Sequence, residues 1–302
     1  MNPLLPYDQA AGLLPFGMRQ LALAVPETNR MLAEEIRLRA GQPISITLPC
    51  GEMVLPGSPI VSRGDLHTVL EMATHSSAHT ALEHVRRGFF TVRGGHRIGL
   101  CGTVAEKDGS IHSIRHFSSL NIRIARQIHE ISNDLLFCIR SYDFLPSVLV
   151  LAPPGAGKTT LLRDLIRGYS YGVGGAPLRV GVADERGELG AIWDGVPQFD
   201  LGPHTDIMDG CPKAEGLMML LRGMSPQVLA MDEITAAEDI DTLETAVGCG
   251  VALLASAHGR DIDDLSRRPL YSDLLRKKFI HIVIRIVCDQ GNREYRMEAI
   301  PC

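Results

Sequence analysis

No stretch of this sequence approaches the ~18 consecutive apolar residues that a membrane-spanning helix requires. The opening residues, MNPLLPYDQAAGLLPF, lack a basic leader and are interrupted by prolines, which argues against a signal peptide. Aromatic residues are scarce, at 5% with one tryptophan. Positive charge is not in surplus: 30 Lys and Arg stand against 35 Asp and Glu, a net of −5. A chain built to grip nucleic acid would carry excess basic charge and rings for base stacking, so nucleic acid is not an expected partner. The seven cysteines (Cys50, Cys101, Cys138, Cys211, Cys249, Cys288 and Cys302) contain no CxxC pair, which removes zinc ribbons and dithiol redox chemistry. Scattered and odd in number, they read as free thiols in a reducing compartment, and the expected location is cytoplasmic.

What is present fits a globular chain: 302 residues, 45% apolar and 22% charged, enough for a sizeable core. The length suggests two domains or one large α/β domain. The halves differ in charge. Residues 1–147 hold 14 basic and 13 acidic side chains, and residues 148–302 hold 16 and 22. Within the first half, residues 86–126 concentrate eight Lys and Arg against two acids. Glu35–Arg39 and Ile44–Leu48 alternate like strands, residues 65–87 repeat apolar positions at helical spacing up to Gly88, and RGG and DG mark turns between later strands. Asn121–Arg126 is a further strand candidate. These features predict an α+β domain over residues 1–143. Residues 144–302 instead alternate apolar runs (147–151, 178–183, 227–231, 251–257) with helical patterns, as a parallel sheet covered on both faces does. A closing antiparallel hairpin is expected at the edge of that sheet.

The segment Ser147–Leu162, SVLVLAPPGAGKTTLL, places a buried strand before a glycine-rich loop and a helix after it. That is the context of a phosphate-binding loop. Pro154, Gly155, Ala156 and Gly157 form the turn, in which glycine lets amides point inward. Those amides and the positive helix end attract phosphate. Lys158 reaches the β- and γ-phosphates, Thr159 offers a hydroxyl to Mg²⁺, and Thr160 lies near the α-phosphate. The pattern places its first glycine at position 152, where this chain has Ala152.

A nucleotide hydrolase also needs acids at the end of a neighbouring strand, one for the Mg²⁺ shell and one to orient water. VLAMDE supplies them: Asp232 for the metal and Glu233 for the water. A second cluster, Asp184, Glu185 and Glu188 in VGVADERGE, follows another strand and faces the same side if the strands are parallel. His258, at the end of the run VALLASAH, is placed to hydrogen-bond a γ-phosphate or sense its loss. Arg93, Arg97, Arg123 and Arg126, from the basic stretch, are candidates to neutralise charge on the transferred phosphoryl group, within one chain or across a subunit boundary.

Taken together, EIRLRAGQPI, GGHRIGLCGTV, LNIRIAR, PPGAGKTTLLRDLIR, ADERGE and the VLAMDEI…SAHG pair resemble the stage III sporulation protein AA family over nearly the whole chain. More distantly the chain resembles the type II and type IV secretion and pilus-motor ATPases. The resemblance implies a P-loop, RecA-like ATPase core at 144–302 behind the smaller N-terminal domain, with ATP and Mg²⁺ as cofactors. It implies a Walker A loop at Gly155–Thr160, an acidic box at Asp184–Glu188, a Walker B at Met231–Glu233 and a histidine box at His258. Glu185 is the favoured acid of its box, with Asp184 and Glu188 open, and Arg97 and Arg123 are the favoured arginines. The chain departs from the secretion ATPases in carrying Asp232–Glu233 where they usually have Gly-Glu. The resemblance further implies a hexameric ring with ATP between subunits, docked on membrane proteins of a mother-cell-to-forespore channel during endospore formation. Two rivals remain: a nucleic-acid-stimulated ATPase, and a scaffold that binds ATP without turnover.

Overall fold

The computed structural model describes residues 4–74, 88–107, 110–289 and 292–300. It divides into two compact units, one formed by residues 1–126 with 191–198, the other by residues 127–190 with 199–302.

The first unit opens with three short helices, α1 (Leu5–Ala11), α2 (Phe16–Leu23) and α3 (Glu27–Leu32). Each starts at a proline: Pro6 in the first turn of α1, and Pro15 and Pro26 at the N-caps of the other two. Proline's fixed φ suits this place, and its missing N–H would have had no helical partner. A six-stranded antiparallel sheet follows, formed by β1 (Glu35–Arg39), β2 (Ser45–Leu48), β3 (Gly51–Val54), β4 (Phe89–Thr91), β5 (Arg97–Lys107) and β6 (Ser110–Arg123). Its order is β3-β2-β1-β6-β5-β4. Of the strand expected at 121–126, residues 121–123 are the end of β6, and residues 124–126 lie beyond it. Alternation sends Ile36, Leu38, Ile98, Leu120 and Ile122 into one core with α1, α2 and helix α4 (Arg63–Thr74). The rest of the helix expected at 65–87, residues 75–87, lies outside the described residues, as does the DG turn at 108–109. The RGG turn joins β4 to β5 with Gly94 and Gly95 at φ 86° and 77°.

His96, beside that turn, is fully buried. Its Nδ1 accepts the Ala125 N–H at 3.1 Å, and its Nε2 has no hydrogen-bond partner among the described residues. Burial, helped by the nearby Arg126 charge, pushes its pKa down to about 4. The unfolded chain therefore binds this proton more readily than the folded unit. Stability is fully present above the ordinary histidine range and falls as the pH drops from about 6.5 to about 4, by about 3 kcal/mol. Thermal unfolding scanned across that window should show the loss, and His96→Leu should flatten it. An unchanged pH profile in the variant would remove His96 as the cause.

The second unit is built on seven strands: β7 (Val148–Ala152), β8 (Val180–Asp184), β9 (Thr205–Asp209), β10 (Val228–Met231), β11 (Ala252–His258), β12 (Ile282–Asp289) and β13 (Asn292–Ala299). The order is β13-β12-β7-β11-β10-β8-β9, parallel throughout except for the edge strand β13. Alternate residues of β7 serve opposite faces. Val148, Val150 and Ala152 join one core and Leu149 and Leu151 the other, so every residue of the strand is buried. The helices are α5 (Asn133–Ile139), α6 (Lys158–Tyr171), α7 (Lys213–Gly223), α8 (Ala237–Gly248), α9 (Ile262–Ser266) and α10 (Pro269–Arg276).

The units divide after Arg126, not at the expected 143/144. The reason is Asp164 on α6, which is fully buried. Its carboxylate accepts the N–H groups of Glu130 (3.0 Å) and Ser132 (2.9 Å), the Ser132 hydroxyl (2.8 Å) and Arg167 Nε (2.8 Å). Those bonds fasten the segment before α5 to the second unit. Among the described residues no helix is long and apolar enough to cross a membrane, and the six described cysteines are free.

Candidate nucleotide site

Strand register brings the motifs to one edge of the parallel sheet. Met231 pairs with Ala183 on one side and Ala255 on the other, so Asp184, Asp232 and Ser256 follow at the same level. His258 pairs with Ala152, the last residue before the glycine-rich loop. Parallel strands all end at this edge, and the polar side chains just beyond them converge.

The loop itself needs its glycines. Gly155 and Gly157 have φ of 74° and 102°, and Gly157 is the N-cap of α6. A Cβ at Gly157 would also meet Arg293 of β13, whose Nε lies 3.4 Å from that position. Ala152 is a regular strand residue and is absent from the positive-φ positions, so the glycine expected there is not required. Pro154 and Gly155 are exposed, Ala156 is buried, and the first-turn amides of Lys158, Thr159 and Thr160 have no intrahelical acceptor. These features fit a phosphate cradle.

Lys158 is buried, and its Nζ donates to the Ala152 carbonyl (3.1 Å), the Pro153 carbonyl (3.2 Å) and His258 Nδ1 (2.7 Å). Burial lowers its pKa, against the Asp232 and Glu233 charges that raise it. Because lysine only donates, His258 Nδ1 accepts, and Nε2 carries the proton it shares with Glu233 Oε1 at 2.9 Å. A second chain runs from Thr159 Oγ1 to Asp232 Oδ2 (2.7 Å) and from Ser256 Oγ to Asp232 Oδ1 (2.6 Å). Ser256 Oγ accepts the Glu233 N–H at 2.9 Å. The hydroxyl and carboxylate assigned to Mg²⁺ thus lie in contact, a donor set of oxygens that suits this ion.

The acidic box separates into different tasks. Asp184 is buried and accepts the N–H groups of Glu188 (2.8 Å), Leu189 (3.0 Å) and Gly190 (2.8 Å). Burial raises its pKa against the pull of those amides. It shapes the turn. Glu185 is exposed, with Oε2 3.9 Å from Lys213 Nζ. Arg163 of α6 holds the same turn through the carbonyls of Leu189 (3.1 Å) and Glu188 (2.6 Å). Asp184, Glu185, Glu188, Lys213, Asp232 and Glu233 line one cleft.

Arg97 and Arg123 sit in the first unit, directly opposite each other on β5 and β6, with Glu35 of β1 next in the row. Arg123 is well exposed, 3.7 Å from Glu35, and the Arg97 guanidinium lies over the Phe89 ring. Arg37 and Arg39 share this solvent-facing side of the sheet. Like charges facing across strands repel, which suits a surface that meets an anion. Arg126 is committed elsewhere, donating to the Ala33 (2.6 Å) and Arg30 (3.1 Å) carbonyls.

Sequence reasoning missed Lys213, Ser256 and Arg163 as members of the site. Lys213 lies outside every quoted motif, while Arg163 and Ser256 fall inside PPGAGKTTLLRDLIR and SAHG without being singled out there.

The structure resembles that of the pilus retraction motor PilT with bound ADP (TM-score 0.64, 16% identity, 91% of this chain and 82% of that one). It also resembles the Legionella pneumophila ATPase DotB (TM-score 0.58, 17% identity, 88% and 76%). The fold is therefore that of the secretion and pilus ATPases, a RecA-like α/β core with an N-terminal domain. Stage III sporulation protein AA of Bacillus subtilis (strain 168) is 39% identical over 268 residues, 87% of this chain and 85% of that protein. The family model described as sporulation stage III, protein AA matches residues 7–298, from α1 to the edge strand β13. With nearly all of both units and every motif inside that span, the chain belongs to the sporulation stage III protein AA family.

Proposed function

We propose that this protein is a Mg²⁺-dependent ATPase that works as a ring and energises assembly of, or transport through, a channel between mother cell and forespore. The observation that carries the reading is the meeting, at one loop, of Lys158–His258–Glu233 with Thr159–Asp232–Ser256. The loop and α6 amides bind the phosphates, and Lys158 exchanges its loop carbonyls for phosphate oxygens. Thr159 and Asp232 would hold Mg²⁺, whose charge offsets that of the β- and γ-phosphates. Glu233 orients the attacking water and takes its proton. Glu185 faces the same cleft as a second acid. His258, bonded to both Lys158 and Glu233, reports the γ-phosphate to each.

Arg97 and Arg123 act on the nucleotide of a neighbouring copy. The pairing of two cationic side chains on an exposed sheet face supports this, as does the likeness to a pilus motor. ATP binding then draws subunits together, and phosphate release relaxes them, which gives a stroke. In this reading the protein lies in the mother-cell cytoplasm, peripherally bound to membrane proteins of the channel complex.

The test is native mass measured with and without ATP, alongside phosphate release. A ring that forms with ATP and releases phosphate is expected. A chain that stays monomeric and releases none overturns the motor. In the assembled protein, Arg123→Ala should lower turnover on the order of 10³-fold while ATP binding persists. Turnover that survives both Arg123→Ala and Arg97→Ala excludes these arginines.

A further inference from the structure

Glu233 is held in a conformation that non-glycine residues rarely adopt, with φ 49°. Strain of this kind persists only where the surroundings overdetermine it. Three contacts do so. Ser256 Oγ accepts its N–H, His258 Nε2 meets its carboxylate, and Lys213 Nζ donates to its carbonyl at 2.6 Å. Lys213 comes from outside every motif. It opens α7, is 8% exposed, and also donates to Thr235 Oγ1 at 2.8 Å. Its ammonium lies 3.5 Å from Asp239 Oδ2 and 3.9 Å from Glu185 Oε2. Asp239 in turn accepts the N–H groups of Thr235 (2.9 Å) and Ala236 (3.1 Å).

We infer that Lys213 is a positioning residue for ATP hydrolysis: by holding the Glu233 carbonyl it keeps that residue in its left-handed conformation and aims the carboxylate at the attacking water. The same ammonium faces Glu185, so one buried charge sets two acids of different strands relative to each other. The inference rests on the reading of Glu233 as the acid that activates water. It goes beyond that reading because it assigns the placement of the acid to a residue on another helix. An ordinary buried ion pair with Asp239 would explain the lysine's burial. It would not explain why the shortest contact is to the backbone of Glu233.

Removing Lys213 alone would strand Asp239 without its counter-charge. The informative variant is K213M/D239N, which removes both charges and leaves a side-chain oxygen to accept the two amides of the α8 cap. Lys213 as a mere counter-ion predicts wild-type kcat in this variant. Lys213 as a positioning residue predicts kcat lower by roughly 10- to 100-fold, with KM and ATP affinity nearly unchanged, since the misplaced group acts only in the chemical step. A crystal structure of the variant should show residue 233 leaving positive φ. Wild-type kcat, or Glu233 still at positive φ, overturns the inference. So does a double variant that cannot fold beside a D239N that can, because Lys213 would then serve the fold. E233Q is measured in parallel. Full turnover in E233Q defeats the reading of Glu233 itself, whereas an inactive E233Q beside an active K213M/D239N defeats only the role of Lys213.

Discussion

Glu233→Gln is expected to bind ATP as the unaltered chain does and to release phosphate some 10²- to 10⁴-fold more slowly, the usual worth of a positioned general base. The substitution is nearly isosteric. Its amide oxygen still accepts from His258 Nε2, and the backbone contacts to Ser256 and Lys213 are untouched, so the loop and its neighbours stay in place. What is lost is the basicity that takes the proton from water. Nucleotide titration and a phosphate-release assay on the same preparation separate the two effects. Turnover within twofold of the unaltered protein would disprove the role of Glu233 in the chemical step. Loss of binding together with turnover would instead place this side chain among the groups that hold the phosphates.

Lys158→Ala should abolish turnover and weaken ATP and ADP binding about 100-fold, as expected when a charge-assisted contact to phosphate disappears. The lysine is pre-set for exchange. Its ammonium is held by two loop carbonyls and one imidazole nitrogen, and burial already penalises its charge. A phosphate that replaces those neutral acceptors puts a counter-charge in direct contact with the ammonium. Calorimetric titration of the variant reads the affinity directly. Unchanged affinity would mean that the loop is an ordinary strand-to-helix connection, and the ATPase reading would fall with it.

Much of the second unit is legible in one dimension because its central strands are buried on both faces. VLVLA, VGVA and VLAM are unbroken apolar runs, and the last two are followed at once by Asp184 and Asp232, so strand and candidate site residue are read in the same glance. The first unit is less legible. The helices α1, α2 and α3 are six to eight residues long and start at prolines, so no apolar period has room to repeat. Strand β9 escaped for a related reason, since none of its five residues is fully buried and its apolar pattern is weak.

The sequence by itself determined the glycine-rich loop, the acids and histidine that end the strands, and the arginines of the first half, because each depends on residue type and local order. Tertiary structure alone decided that β11 lies between the strand of the loop and the strand of Asp232. It alone brought Ser256 against Asp232, committed Asp184 to three amides and Arg126 to two carbonyls, and carried Lys213 to the carbonyl of Glu233. Those relations depend on which strand pairs with which and in what register, and parallel strands joined by crossover helices leave no trace of their spatial order in the chain.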